Sequence, residues 1–160
     1  MLRVTVLAVG RLKEKFWRDA CAEYEKRLSG FCRLEIIEIE EARCPDRPSP
    51  AQIAEVVEQE GRRMLARIPK GAHVFALCIE GAQQSSEELA ASLERLAASG
   101  TSHAAFLIGG SWGLSDAVKA AAHTRLSMSR MTFPHMLARV MLLEQLYRAG
   151  QIIAGGSYHK

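Results

Sequence analysis

Phe106-Leu-Ile-Gly-Gly-Ser-Trp-Gly-Leu114, answered further on by Met128-Ser-Arg-Met-Thr-Phe-Pro-His135, decides how the rest of this chain is read. The first stretch is an apolar strand that runs into a glycine-rich turn and then a helix. Open α/β folds place their ligands there, just beyond the carboxyl ends of the strands. Gly109, Gly110 and Gly113 let a ligand approach the main chain closely, so backbone N–H groups would line it. A Gly-Gly-x-x-Gly turn can also do no more than end a strand, and the second stretch tips the balance. There a strand-like segment closes in Thr-Phe-Pro-His, and Pro134 is expected to open the last helix at its first position, where a missing N–H costs nothing.

Outward from these two stretches, strands and helices alternate. Arg3 to Val9 reads as a buried parallel strand ended by Gly10. Residues 13–28 carry Phe16, Ala20, Tyr24 and Leu28 at four-residue spacing, which predicts an amphipathic helix with that row inward. A strand over 33–39 leads into Glu40 to Pro50, whose three prolines among charges predict a long, mobile loop. A helix over 51–67 turns Ile53, Val56, Val57, Met64 and Leu65 inward, and Val74 to Ile79 forms the third strand. Ser85 or Ser86 caps a helix reaching Ala98, with Glu87 and Glu88 in its favourable first turn. Beyond it come a strand over 103–109, a short helix over 115–122, a strand over 125–128 and a last helix over 134–149. That order describes one α/β domain, residues 1–160, with a mainly parallel sheet covered by helices on both faces. The last helix is apolar on nearly every side, from Met136 and Leu137 to Leu146 and Tyr147, so it is expected to be buried in the core or against another subunit.

Composition narrows the function classes. Of 160 residues 48% are hydrophobic, enough for a self-sufficient core, and no apolar run has the length of a membrane span. Met1-Leu-Arg-Val-Thr-Val reads as a strand and not as a leader peptide, so a soluble, cytoplasmic protein without membrane partners is expected. Cys21, Cys32, Cys44 and Cys78 have no metal-binding or disulfide spacing, so they read as reduced and mostly core residues, with no metal site. His73, His103 and His123 read as surface or strand-edge residues.

The net charge of +3 is unevenly spread: seven Lys/Arg against four Asp/Glu in residues 1–30, three against eight in 31–60, and six against two in 101–160. Positive charge near the candidate site suits a phosphate-bearing partner. A dinucleotide enzyme of the usual kind is disfavoured, because a single Gly10 follows the first strand where G-x-G-x-x-G would stand.

The two glycine and proline stretches resemble a known family, together with Val4-Thr-Val-Leu-Ala-Val-Gly-Arg-Leu-Lys-Glu14, Ala22-Glu-Tyr-Glu-Lys-Arg27 and Ser157-Tyr-His-Lys160. It is the small bacterial SPOUT-superfamily group that methylates N3 of a pseudouridine in 23S rRNA, and the resemblance runs through essentially the whole chain. It implies S-adenosylmethionine as methyl donor, a C-terminal trefoil knot, a homodimer formed through the last helix and the ribosome's 23S rRNA as substrate. It also implies a donor site among three backbone loops: Leu77 to Gly81, Gly109 to Gly113, and Met128, Ser129, Arg130, Met131, Thr132 and Phe133. An imide nitrogen must lose its proton before or during methylation, so an acid–base group is needed. His135 and Arg139, one helical turn apart, are candidates, as are Tyr158 and His159, which match the family's terminal Tyr-His. The tail after Gly155-Gly156 is expected to stay flexible until a partner or substrate orders it. A competing reading is a non-enzymatic RNA- or ribosome-binding module whose glycine loops only close the fold.

Overall fold

The computed structural model describes all 160 residues, Met1 to Lys160. Its elements alternate without exception: β1 (Leu2–Val9), α1 (Lys15–Leu28), β2 (Cys32–Ile39), α2 (Pro50–Leu65), β3 (His73–Gln83), α3 (Ser86–Ala98), β4 (His103–Ile108), α4 (Asp116–Ala121), β5 (Thr124–Ser127) and α5 (His135–Ile153). The five strands form one sheet in the order β2-β1-β4-β3-β5, with every neighbouring pair parallel. All carboxyl ends therefore share one edge.

Alternation along the central strands divides the core in two. Val4, Val6, Ala8, Ala104, Phe106 and Ile108 face α1, α3 and α5, where Leu28, Leu93, Leu142, Leu143 and Leu146 meet them. Leu7, Val9, Ala105 and Leu107 face the other way, toward Met64 of α2 and Val118 of α4. Phe75 and Phe106 stack across neighbouring strands with ring centroids 4.6 Å apart. Ser49 and Ser85 form full capping boxes at α2 and α3, with Gln52 and Glu88 reaching back to the cap N–H groups.

Several expectations are corrected by this arrangement. The inward row of α1 is Trp17, Cys21, Tyr24 and Leu28, while Phe16 is 62% exposed. Strict four-residue spacing drifts by about 40° per step, so Phe16, three steps before Leu28, has rotated about 120° away from the core. Pro134 is the cap of α5, one residue outside it, and its carbonyl accepts from Ala138 N at 3.0 Å. That last helix also runs four residues further than expected, to Ile153.

The loop from Glu40 to Ser49 has no regular structure, yet it is pinned where it leaves β2. Ala42 is buried, its N–H donates to Glu60 Oε2 at 3.0 Å, and Arg63 donates to the Glu40 carbonyl at 2.9 Å. Cys44 is exposed, unlike the buried Cys21 and Cys32, whose thiol pKa values burial pushes up to about 11.

The histidines at the amino edge are partners, not bystanders. His103 is buried against Thr5 Oγ1 at 2.8 Å, His73 meets Thr124 Oγ1 at 2.8 Å, and Val74 N–H donates to His123 Nδ1 at 2.9 Å. No helix is long and apolar enough to cross a membrane.

Candidate active site

The carboxyl edge of the sheet holds a cavity of about 800 Å³ built by three loops. The first comes from an interruption in β3. Leu77 and Ala82 both lie opposite Leu126 of β5, so Cys78 to Gly81 are thrown out of the ladder, and Cys78, Ile79 and Glu80 form one wall. Gly81 permits this, since a Cβ there would stand 2.7 Å from the carbonyl carbon and oxygen of Arg125.

The second loop is the glycine turn. Gly113 N–H donates to the Gly110 carbonyl at 3.1 Å, and Gly113 takes φ +83°, a left-handed value that glycine adopts without strain. Gly109 has a different reason to be glycine: a Cβ there would lie 2.6 Å from the Gly113 carbonyl carbon and 2.9 Å from Leu114 N. The turn closes on itself at that point.

The third loop follows β5. Ser127 Oγ donates to the Ser129 carbonyl and Ser129 Oγ accepts from Met131 N, each at 3.0 Å, so two hydroxyls hold its shape. Of the residues that the resemblance assigns to a donor site, Leu77, Gly109, Gly113, Met128, Ser129, Met131, Thr132 and Phe133 line the cavity. Arg130 does not; it is exposed, and its neighbours form the wall. The Lys119 ammonium pairs with the Glu80 carboxylate at the rim, which holds that carboxyl below its ordinary range.

The four proposed catalytic residues do not come together within one chain. His135 lines the cavity beside Phe133 and Pro134, with its side chain only 13% exposed. Burial lowers its pKa, the Glu41 carboxylate 3.9 Å away opposes that, and Arg139 and Lys13 reinforce it. Its Nδ1 is buried without a partner.

Arg139, one turn further along α5, meets the same Gly10 but does not line the cavity and is committed elsewhere. At 2% exposure it donates to Glu38 Oε2 at 2.9 Å and to the Gly10 carbonyl at 3.1 Å. A guanidinium so placed holds the ends of β1, β2 and α5 together and is not free to meet a phosphate.

The tail is folded back, contrary to the flexible state expected from its glycines. The Tyr158 ring packs on Tyr147 with centroids 4.8 Å apart, the Arg148 guanidinium lies 4.8 Å over it, and its hydroxyl donates to Glu144 at 3.2 Å. His159 meets Glu87 of α3 at 2.7 Å and Arg148 at 3.3 Å. Neither Tyr158 nor His159 touches the cavity of its own chain.

Sequence reasoning missed Glu60. It sits on the buried row of α2 between Val56 and Met64, at 5% exposure, and a carboxylate in register with an apolar stripe was the available signal. Its Oε2 accepts from Ala42 N, while Oε1 has no partner and faces Gly110 of the glycine turn, where a Cβ would stand 3.0 Å away. Burial raises its pKa above the ordinary 4.5, against the Ala42 hydrogen bond.

A raised carboxyl contributes most to folding while protonated, and that contribution is lost as pH climbs from the unfolded value through the folded one. Glu60→Gln keeps an acceptor for Ala42 and carries no charge. Urea unfolding should show it at least as stable as the parent at neutral pH, with a flatter dependence on pH above 4.5. Glu60→Ala should lose about 1–3 kcal/mol at either end of that range.

Comparison with known proteins agrees with this geometry. A family described as "Predicted SPOUT methyltransferase" matches residues 2–159. The chain is 46% identical over 159 residues to the ribosomal RNA large subunit methyltransferase H of Bacillus pumilus, covering 99% of this chain and 100% of the relative. It is 50% identical to the protein of the same name from Pelotomaculum thermopropionicum, covering 99% of each.

Among solved structures, a probable methyltransferase from Bordetella pertussis superposes with a TM-score of 0.59 at 17% identity, over 92% of this chain and 96% of that one. A putative methyltransferase from Legionella pneumophila, solved with bound SAM, gives 0.51 at 13% identity, over 97% of this chain and 67% of that one. The two structural likenesses speak for the fold; the full-length match and the high identities decide the membership, and the chain belongs to the SPOUT methyltransferase family.

Proposed function

We propose that this protein transfers the methyl group of S-adenosylmethionine to N3 of a pseudouridine in 23S rRNA, acting on the ribosome in the cytoplasm. The observation that carries the reading is the cavity at the carboxyl edge, whose wall is three backbone loops with apolar side chains between them. At about 800 Å³ it has room for a nucleoside-sized ligand. Leu77, Met128 and Phe133 can sandwich a base, and the main chain around Gly113 is open to a ligand, since even a Cβ there would meet nothing within 4 Å. The names of the full-length relatives and the SAM in the Legionella protein support donor and substrate class. The same reading carries the C-terminal knot.

The donor's sulfonium supplies an already activated methyl group, so the protein has to align the acceptor nitrogen and dispose of its proton. His135 suits the second task. Burial lowers its pKa and favours the neutral imidazole, which can accept a proton, and it stands in the cavity wall beside Phe133 and Pro134. Arg139 acts through position, fixing the helix turn from which His135 projects.

A dimer through α5 completes the reading. Leu137, Val140 and Met141 are only half-buried in the single chain, and the latter two line a second cavity, of about 390 Å³, with Tyr24 and Leu126. Labelled donor should methylate whole ribosomes, isolated large subunits or naked 23S rRNA, with the product at N3 of one pseudouridine. Donor binding without transfer to any of the three would overturn the enzyme reading in favour of a binding module.

A further inference from the structure

The segment that leaves β1 at the carboxyl edge, Gly10 to Arg18, presents side chains to solvent that the reading above gives no role. Gly10 takes φ +92° and packs against His135, where a Cβ would come within 3.1 Å of the imidazole Cε1. The segment therefore starts at the wall of the donor cavity. Arg18 then donates to the carbonyls of Leu12 and Lys13, which sets the loop's shape.

Phe16 projects from the first turn of α1 at 62% exposure, with its ring 4.9 Å from that of the half-buried Trp17. The two rings together present an aromatic face to solvent. The charges around it are Arg11, Lys13, Glu14, Lys15, Arg18 and Asp19. Asp19 is neutralised by Lys15 at 2.6 Å, whereas Arg11 and Lys13 form no ion pair. On the inner side of the loop a groove of about 1060 Å³ carries Arg11, Arg18 and Arg33 on its walls, with Glu25 and the already paired Glu38.

An exposed aromatic face among unpaired cations matches the chemistry of unstacked RNA, in which bases stack on rings and phosphates seek Lys and Arg. We propose that Arg11 to Arg18 is an RNA-docking surface, where Phe16 stacks on an unpaired base flanking the target nucleotide and Arg11 and Lys13 take the adjacent phosphates. This rests on the rRNA methylation argued above and adds the surface that brings the substrate to the cavity.

The test uses the full-length protein, labelled donor and the best ribosomal substrate. Phe16→Ala should raise KM for that substrate about tenfold, the scale of one lost base stack, with kcat and donor affinity unchanged. Phe16→Trp should restore KM. Lys13→Gln should reduce by about one the slope of log affinity against log salt. A KM for Phe16→Ala within twofold of the parent overturns the docking surface alone. A raised KM with an unaltered salt slope in Lys13→Gln overturns the RNA assignment in favour of a ribosomal protein contact. A parent protein that binds donor but methylates no RNA overturns the functional reading, and this surface with it.

Discussion

Gly109→Ala should lose donor binding and a large part of its stability, whereas Gly113→Ala, four residues away in the same turn, should lose only about 1–2 kcal/mol. The sequence makes these two glycines look alike. Their surroundings differ. At Gly109 an added methyl group meets the main chain of Gly113 and Leu114 at 2.6 to 2.9 Å, and main chain inside a closed turn cannot step aside. At Gly113 the added group meets nothing within 4 Å, so only the left-handed φ of +83° opposes it. The failure at Gly109 therefore begins in the turn itself and reaches the ligand only through it. Calorimetry with the donor and thermal unfolding of both variants decide the matter. A folded Gly109→Ala protein with the parent's affinity would show that the turn can open without cost.

Deleting Tyr158 to Lys160 should leave donor binding and subunit pairing intact and reduce methyl transfer by about 100-fold or more, the scale of losing a positioned group. In a single chain the tail lies on α5 and α3, away from the donor cavity. It can therefore take part in chemistry only if pairing presents it to a second chain's cavity. Mixed dimers follow as the sharper measurement. A truncated subunit paired with one carrying the Gly109 substitution holds one site with intact loops and, from the other chain, an intact tail. Partial activity after subunit exchange is the expected result. Complete exchange with no activity would exclude a shared site.

The cavity was legible in part, because glycine and proline record the backbone shape of the Gly109 turn and of the stretch ending at Pro134, while the loop after Leu77 came from the family resemblance alone. Leu77, the glycine turn and five of the six residues from Met128 to Phe133 line it. Arg130 is the exception, because a loop residue's direction is set by hydrogen bonds such as Ser129 to Met131, which no periodicity encodes. Long-range polar pairs were not legible at all. Arg139 finds Glu38 across 101 residues and Glu60 finds Ala42 across 18, and nothing local to any of the four announces its partner. Tyr158 and His159 show the converse. Two glycines before them suggested freedom, yet Tyr147, Arg148 and Glu87 already hold them.

The buried guanidinium of Arg139 has a consequence for how such a chain can diverge. One planar fork serves a carboxylate and a carbonyl at once, which a lysine's single ammonium cannot reproduce. Glu38 and Arg139 must therefore change together or stay as they are, while Gly10 is held by its left-handed φ of +92°. If Phe16 and Arg11 dock RNA as proposed above, they hang outside this tie, and replacing them leaves the bonds of Arg139 in place. On that proposal the docking face is adjustable one residue at a time, whereas the Glu38–Arg139 tie behind His135 is not.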